Sequence, residues 1–183
     1  MRMGKKVLFI LAHPYLNRSV ANKIICNQVK ELAHVTFHDL YETYPYFSID
    51  IKKEQETLRK HDLIVFQHPF YWNNMPPLLK LWQDEVLEAG FAYGEKGNAL
   101  VGKEFLLSIT TGGSADTYTL EGQNKFPVSD FMKSYEQMCS LCGLKWNSPQ
   151  VLHSSRQNNH DEIYVHADQI KEQIKMFIER GNL

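Results

Sequence analysis

Apolar runs alternate along this chain with segments whose apolar residues recur every three or four positions. Residues 7–12 and 63–66 are unbroken apolar runs, which is typical of strands that are covered on both faces. Residues 105–110 are predicted to form a further strand, and helical patterns lie between these runs, the first of them after a potential capping residue, Ser19. Strands that alternate with helices predict a parallel sheet with right-handed crossovers.

Two further strands complete the predicted sheet. Val35 and Phe37 alternate with polar residues, which indicates an edge strand, and a fifth strand is expected within residues 144–152. Five strands with the second at an edge predict the order 2-1-3-4-5, that is, a flavodoxin-like α/β fold: a three-layer sandwich around a five-stranded parallel sheet. Neither a linker nor an internal repeat interrupts the 183 residues, so a single domain spanning 1–183 is expected.

In a sheet of this order, ligands bind beyond the carboxyl ends of the strands, between strands one and three. The loop after strand one, residues 13–22, leads into the amino terminus of a helix, where free backbone N–H groups favour a phosphate. Ser19 can add a hydroxyl donor, Asn22 an amide and His13 an imidazole N–H. The alternative is an ordinary capped helix with an incidental histidine.

Two more loops reach the same predicted edge. The loop after strand three carries three consecutive aromatic residues and an asparagine: Phe70, Tyr71, Trp72 and Asn73. Aromatic side chains can wall a flat ring system such as isoalloxazine, although they can also simply cap the core. The loop after strand four contains Gly112 and Gly113, which let the backbone approach a ligand or form a plain turn.

The net charge and the positions of the histidines argue against nucleic-acid binding and metal binding. The formal net charge of −1 gives no reason to expect nucleic acid as a partner. No metal site is predicted: His34, His38 and His61 are expected on the surface, and His68 either in the core or behind the ligand site.

The cysteines and the amino terminus favour the cytoplasm. Three cysteines cannot build a disulfide framework, and Cys139 and Cys142 fall at the carboxyl end of a helix, where two buried thiols are expected. About six apolar residues follow the amino terminus before His13, too few for a signal peptide or a membrane span. A cytoplasmic protein is predicted, which a partner could hold at the inner face of the membrane.

Several stretches resemble one known family: AHPY with SVAN, DLYETYP, DLIVFQHPFYW, PPLLKLWQDEV, FAYG, SITTGG and CGL. Together they cover nearly the whole chain and resemble the NAD(P)H:quinone oxidoreductase family of flavodoxin-like proteins. The likeness is greatest to its short members, the ancillary proteins of glutathione-regulated potassium-efflux systems and the general stress protein relatives.

The resemblance implies a set of flavin-binding residues. Those implied to hold the flavin phosphate are His13, Ser19, Val20, Ala21 and Asn22. Those implied to line the isoalloxazine are Phe70, Tyr71, Trp72, Asn73, Thr110, Thr111, Gly112 and Gly113. The short members bind FMN, so FMN is favoured over FAD, with NAD(P)H as co-substrate and a homodimer whose active site lies at the subunit interface.

The resemblance also implies one catalytic residue. In the larger quinone reductases a tyrosine and a histidine after the glycine pair assist hydride transfer; Tyr118 falls on the tyrosine position, and Asn124 falls on the histidine position. Because an amide cannot carry a proton, any proton relay must end in Tyr118, another histidine or water.

The expected function is therefore FMN-dependent reduction of a quinone-like acceptor by NAD(P)H. The alternative, also implied by the resemblance, is a regulatory subunit of a potassium-efflux transporter in which flavin is structural or sensory. The near-zero net charge disfavours a one-electron shuttle, since such proteins use strong surface charge to steer their partners.

Overall fold

A parallel sheet forms the centre of the computed structural model, which describes residues 4–157 and 159–180. Its strands are Val7–Leu11 (β1), Val35–Asp39 (β2), Leu63–Pro69 (β3), Glu104–Thr110 (β4), Lys145–Trp146 (β5) and Gln150–Leu152 (β6). The hydrogen-bonded order is β2-β1-β3-β4-β5, with β6 also paired to β4. The predicted flavodoxin-like order is thus confirmed.

The fifth position of the sheet is occupied by two short segments rather than one strand. β5 pairs with Glu104 and Phe105 at the start of β4, whereas β6 pairs with its end, from Ser108 to Thr110. Pro149, which has no N–H to donate, lies between the two segments. Asn147 instead bonds the carbonyl of Phe105 through both its backbone and its side-chain nitrogen, at 3.0 and 3.1 Å.

Helices cover both faces of the sheet. They are Val20–Val29 (α1), Leu40–Thr43 (α2), Ile51–Arg59 (α3), Pro77–Val86 (α4), Val128–Phe131 (α5), Lys133–Cys142 (α6) and His160–Glu179 (α7). Ser19 caps α1 through its side chain, as predicted. Asp50 caps α3 in the same way, and Pro77 occupies the first turn of α4. The last helix was expected to end near Gly181, which lies outside the described residues.

Alternate residues of each inner strand belong to different cores. Leu8 and Ile10 pack into a cluster with α4 and α6, whereas Phe9 and Leu11 pack into a cluster with α1 and α7. All four side chains are fully buried, which accounts for the unbroken apolar run in the sequence. The result is the predicted three-layer sandwich.

A buried carboxylate lies in the first of these clusters. Glu54 is 1% exposed and accepts hydrogen bonds from Tyr44 Oη at 2.6 Å and Trp82 Nε1 at 2.8 Å, while His38 Nε2 lies 3.0 Å from both carboxylate oxygens. Burial alone would raise the pKa of Glu54, but the hydrogen bonds with His38, Tyr44 and Trp82 outweigh it and lower that pKa. The charged form is therefore the stable one inside the fold.

The prediction of surface histidines is only partly correct. His34 is exposed, but His38 is half-buried beside Glu54, and His61 is only 5% exposed. Both ring nitrogens of His61 have partners, Thr57 O and Thr36 Oγ1, each at 2.7 Å, which explains how the ring can be buried. His34 and His38 are four residues apart, a spacing that would place them on one face of a helix. β2 begins between them, however, and four residues of extended chain hold the two side chains too far apart to bind one metal ion.

His68 is a core histidine, which is one of the two positions predicted for it. It is fully buried, its Nδ1 lies 2.9 Å from Pro69 O, and its Nε2 lies 3.0 Å from Tyr135 Oη. Burial lowers its pKa to about 4, so the neutral ring persists across the physiological range.

Cys139 and Cys142 are buried thiols, as expected, and so is Cys26. Cys26, Cys139 and Cys142 are all buried, and burial raises the pKa of each. Cys142 ends α6 immediately before Gly143, whose φ of 69° terminates the helix.

Candidate functional site

A cavity of about 700 Å³ opens at the carboxyl edge of the sheet, beyond the ends of β1 and β3. It lies at the position that the strand order predicts for a ligand. Its lining consists of His13, Tyr15, Arg18, Ser19, Val20, Asn22, Pro69, Phe70, Tyr71, Thr110, Gly112, Ser155, Arg156, His160 and Ile163.

The amino terminus of α1 forms one end of the cavity. Val20 and Ala21 are its first two residues, so their N–H groups have no partner inside the helix. Ser19 caps the helix, and Ser19 and Arg18 both line the cavity, with the Arg18 guanidinium 5.7 Å from the centroid of the Tyr15 ring. A helix terminus, a hydroxyl and a guanidinium together make this end suitable for an anion.

The His13 ring presents a donor to the same end. Its Nδ1 accepts a hydrogen bond from the Tyr15 N–H at 3.0 Å, so the ring proton must lie on Nε2. Burial lowers the pKa of His13, although a backbone hydrogen bond opposes this effect. His13 therefore offers a neutral N–H rather than a full positive charge.

Asn22 is a buried hub rather than an open donor. Its Nδ2 donates to Ser19 Oγ and to Thr110 Oγ1, both at 3.0 Å, and its Oδ1 accepts from Gln67 Nε2 at 2.8 Å. The amide predicted to face a phosphate is thus committed within the protein. It connects α1, β3 and the end of β4 beneath the cavity.

Phe70 and Tyr71 form an aromatic wall, but the next two residues turn away from it. Tyr71 and Asn74 exchange backbone hydrogen bonds of 3.0 Å around Trp72 and Asn73, whose φ angles are 48° and 61°. This is the geometry of a tight turn with two left-handed central residues. It leaves the Trp72 side chain 98% exposed and outside the cavity lining.

The end of β4 and the residues after it supply backbone groups and two buried threonine side chains. Gly112 lines the cavity, and a Cβ placed on it would meet no atom within 4 Å, so the space beside it is open. Thr111 is fully buried and donates to the Gly113 carbonyl at 2.8 Å. Thr110 reaches the cavity and is held from below by Asn22.

Tyr118 lies behind the aromatic wall. Its ring centroid is 6.2 Å from that of Phe70, 6.4 Å from that of Phe131 and 5.5 Å from that of His153. Burial raises its pKa, and a side-chain hydrogen bond with Thr111 opposes that shift. Asn124, at the position of the family histidine, donates from Nδ2 to a residue of its own loop, Thr117 Oγ1, at 3.2 Å.

The structure thus brings together most of the predicted site residues. Eight of them line the cavity: His13, Ser19, Val20, Asn22, Phe70, Tyr71, Thr110 and Gly112. Those outside the lining are Ala21, Trp72, Asn73, Thr111, Gly113 and Tyr118. Among these, Ala21 is 2% exposed and packs into the core between α1 and α7, so only its backbone can serve a ligand.

Sequence reasoning did not single out the far side of the cavity. Ser155 and Arg156 come from the loop between β6 and α7, and His160 is the first residue of α7. This loop follows the last strand and so reaches the same carboxyl edge, which is the signal that would have found it. Arg156 is thus a second arginine in the lining, besides Arg18.

Two kinds of feature are absent from residues 4–157 and 159–180. No helix in these ranges is long and apolar enough to cross a membrane. In the same ranges, no group of three or more His, Cys, Asp or Glu side chains is arranged to hold a metal ion.

Comparison with known proteins identifies relatives that span the whole chain. A family model described as flavodoxin-like fold matches residues 5–174. The glutathione-regulated potassium-efflux system ancillary protein KefG of Yersinia pestis is 42% identical over 181 residues, covering 99% of this chain and 100% of the relative.

Solved structures agree with this result. The general stress protein 14 of Treponema denticola, solved in complex with FMN, has a TM-score of 0.88 and 34% identity, covering 94% of this chain and 99% of that one. An NADPH-quinone reductase from P. pentosaceus has a TM-score of 0.84 and 26% identity, covering 92% and 96%. With its strand order, its cavity and these relatives in agreement, this chain belongs to the flavodoxin-like family that includes the KefG ancillary proteins and NAD(P)H-quinone reductases.

Proposed function

We propose that this chain binds FMN in the cavity between β1 and β3 and reduces a quinone-like acceptor with NAD(P)H. The observation that carries the proposal is that one cavity joins an anion-binding helix terminus to an aromatic wall and an open glycine backbone. Its volume of about 700 Å³ lies within the usual range of cofactor sites, and the relatives named above include an FMN complex and an NADPH-quinone reductase.

The two ends of the cavity suit the two ends of FMN. The phosphate would be held by the N–H groups of Val20 and Ala21, the Ser19 hydroxyl, His13 Nε2 and the Arg18 guanidinium. The isoalloxazine would lie between the aromatic wall and the backbone after β4. Of the residues predicted to line the ring, Phe70, Tyr71, Thr110 and Gly112 border the cavity and would contact it, whereas Trp72 and Asn73 turn away.

FMN, when bound, supplies the hydride chemistry, and the protein supplies orientation and protons. Phe70 and Tyr71 exclude water from one side of the ring site, and Asn22 fixes Ser19 and Thr110 so that the phosphate end is preorganised. Tyr118 is the proposed catalytic residue: its hydroxyl donates a hydrogen bond to the acceptor oxygen and stabilises the charge that develops there.

An anaerobic visible spectrum tests the proposal. Addition of FMN to the purified protein should give a bound-flavin spectrum, NADPH should bleach it, and benzoquinone should restore it. Arg18→Gln should weaken FMN binding about tenfold by removing one charge-assisted contact. Arg180→Gln, which removes an exposed arginine near Glu104 at the opposite edge of the sheet, is the matched control and should bind normally. Absence of flavin binding by the wild-type protein would refute the proposal.

A second role is favoured by the KefG relationship, which covers 99% of this chain. We infer that the chain can also act as an ancillary subunit of a potassium-efflux transporter, from the cytoplasm at the inner face of the membrane. Retention of the purified protein by the transporter's soluble domain, measured with and without FMN, tests this role. Binding without NADPH-dependent bleaching would identify a regulatory flavoprotein rather than an enzyme.

We also propose a single domain that functions as a homodimer. Both cores share one sheet, which supports one domain. Trp72, 98% exposed beside the cavity wall, is a large apolar side chain whose burial would favour contact with a second copy. Sedimentation of the wild-type protein should give a dimer, and Trp72→Ser should shift it towards monomer; a monomeric wild type would overturn this proposal.

A further inference from the structure

The loop between β6 and α7 is fastened to the backbone that follows β4. The Thr111 N–H donates to the Leu152 carbonyl at 2.9 Å, and the Thr111 carbonyl accepts from the Ser155 N–H, also at 2.9 Å. The Ser154 N–H donates to the Gly113 carbonyl at 3.0 Å. The loop therefore lies beside the glycine backbone at which the flavin ring is proposed to bind.

Arg156 occupies a tight turn of this loop. The Gln157 N–H donates to the Ser154 carbonyl at 2.7 Å, which closes a four-residue turn with Ser155 and Arg156 at its centre. Both central residues line the cavity. Backbone hydrogen bonds thus hold Arg156 at the cavity, although the residue itself is exposed.

The lining carries positive charge without a matching carboxylate. It contains Arg18 and Arg156, and none of the described Asp or Glu residues belongs to it. Neither an ion pair nor a side-chain hydrogen bond joins Arg156 to any residue that the structure describes. The nearest acidic residues along the chain, Asp161 and Glu162, are exposed in the first turn of α7 and lie outside the lining. An arginine held at a cavity in this way is suited to an anionic group of the ligand.

FMN accounts for only one of the two arginines. Its single phosphate is already provided with Arg18, the Ser19 hydroxyl and the amino terminus of α1. The co-substrate would bring further anionic groups to the same cavity. NADH and NADPH share a pyrophosphate, and NADPH alone carries an additional phosphate on the 2′-oxygen of its adenosine ribose.

The position of Arg156 favours the 2′-phosphate. The nicotinamide must reach the flavin ring inside the cavity, so the adenosine end of the co-substrate is left towards solvent, where Arg156 is exposed. A phosphate monoester carries about −1.5 to −2 charges at pH 7 and three acceptor oxygens, which match the donors of a guanidinium. The Ser155 hydroxyl, in the same turn and the same lining, can add a further donor.

We propose that Arg156 binds the 2′-phosphate of NADPH and so makes this chain prefer NADPH to NADH. The inference rests on the proposed function, in which NAD(P)H reduces FMN bound in this cavity. Because Arg156 contacts only the adenosine end, it determines which nucleotide binds and leaves the hydride transfer itself unchanged.

Calorimetry of the FMN-loaded protein with NADP⁺ and NAD⁺ tests the contact without turnover. Wild type should bind NADP⁺ about tenfold more tightly than NAD⁺, and Arg156→Gln should abolish the difference by weakening NADP⁺ alone. Arg156→Lys, which keeps the charge but loses the planar fork, should retain part of the preference. Arg180→Gln, at the opposite edge of the sheet, is the matched control and should retain all of it. Equal affinities in wild type, or an equal loss for both nucleotides in Arg156→Gln, would overturn the proposal.

Anaerobic flavin reduction tests the same preference during hydride transfer and needs no quinone. In Arg156→Gln the half-saturating concentration of NADPH should rise about tenfold, while the limiting rate and both values for NADH stay unchanged. FMN affinity should also stay unchanged; a tenfold loss of FMN affinity with the NADPH preference intact would assign Arg156 to the flavin phosphate and overturn the inference. A wild type that binds FMN but is reduced by neither nucleotide would refute the proposed function, whereas the calorimetric ratio would still decide whether Arg156 recognises the 2′-phosphate.

Discussion

Replacement of Asn22 by leucine tests whether the polar hub beneath the cavity organises the site. The two side chains have similar shapes, but leucine can make none of the three side-chain hydrogen bonds. Gln67 is fully buried and its Oε1 already lacks a protein partner, so loss of Asn22 leaves its Nε2 unpaired as well. An unpaired buried donor costs about 1–3 kcal/mol, and two lost bonds to rotatable hydroxyls cost about 0.5–1 kcal/mol each. Since the new leucine gains some stability from burial, the expected net loss is about 3 kcal/mol.

Thermal and urea unfolding measure this loss. At about 2–4 °C per kcal/mol for a chain of this size, the midpoint should fall by about 6–12 °C. Asn27→Leu is the matched control, because Asn27 is exposed on the same helix and its replacement should change the stability by less than about 0.5 kcal/mol. FMN affinity should fall about tenfold in the Asn22 variant, since Ser19 and Thr110 lose the group that holds them. Equal stabilities for the two variants would refute the stability argument. An unchanged FMN affinity in the Asn22 variant would refute the argument that Asn22 organises the site.

Three further predictions follow from other parts of the fold. The pKa of Glu54 is lowered in the folded state, so its charge contributes stability at pH values above the unfolded pKa of about 4.3, and that stability is lost as pH falls through the lower folded value. Urea unfolding of wild type and Glu54→Gln should therefore differ most near pH 7 and converge towards pH 3; a gap independent of pH would contradict this. His13→Asn keeps an acceptor for the Tyr15 N–H but removes the Nε2 donor, so FMN affinity should fall about tenfold while the melting temperature changes by about 1 °C or less; a large loss of stability would show that the ring is structural. Burial raises the pKa of Cys26 to about 12, and the other cysteines are also buried, so a thiol reagent at pH 8 should label three thiols in urea and essentially none in the native protein; rapid native labelling would contradict the packing.

The sheet could be predicted from the sequence because its signals are local. Unbroken apolar runs predict β1 and β3, and Ser19 predicts the start of α1. Each of these signals depends on only a few neighbouring residues. The interruption of the fifth strand was harder to locate, because Pro149 leaves two segments too short to show a period.

The parts of the site that could not be predicted depend on contacts between distant residues. Asn22 was identified as a site residue, but its bonds reach 45 residues along the chain to Gln67 and 88 to Thr110. The outward direction of Trp72 depends on a backbone turn with positive φ, which an aromatic residue rarely adopts and which composition does not indicate. Arg156 was missed because the end of the fifth strand had not been placed.

The proposed flavin site and the proposed dimer contact meet at one four-residue turn. Tyr71 lines the cavity while Trp72, the next residue, is almost fully exposed, and backbone hydrogen bonds between Tyr71 and Asn74 make the segment a unit. A ligand ring against Tyr71 and a protein surface over Trp72 would therefore act on the same backbone. If flavin binding orders this turn, it favours binding of a protein surface over Trp72. Protein binding then favours flavin binding by the same free energy. Flavin binding and dimer formation should therefore be coupled, and the dependence of the dimer dissociation constant on FMN measures how strongly.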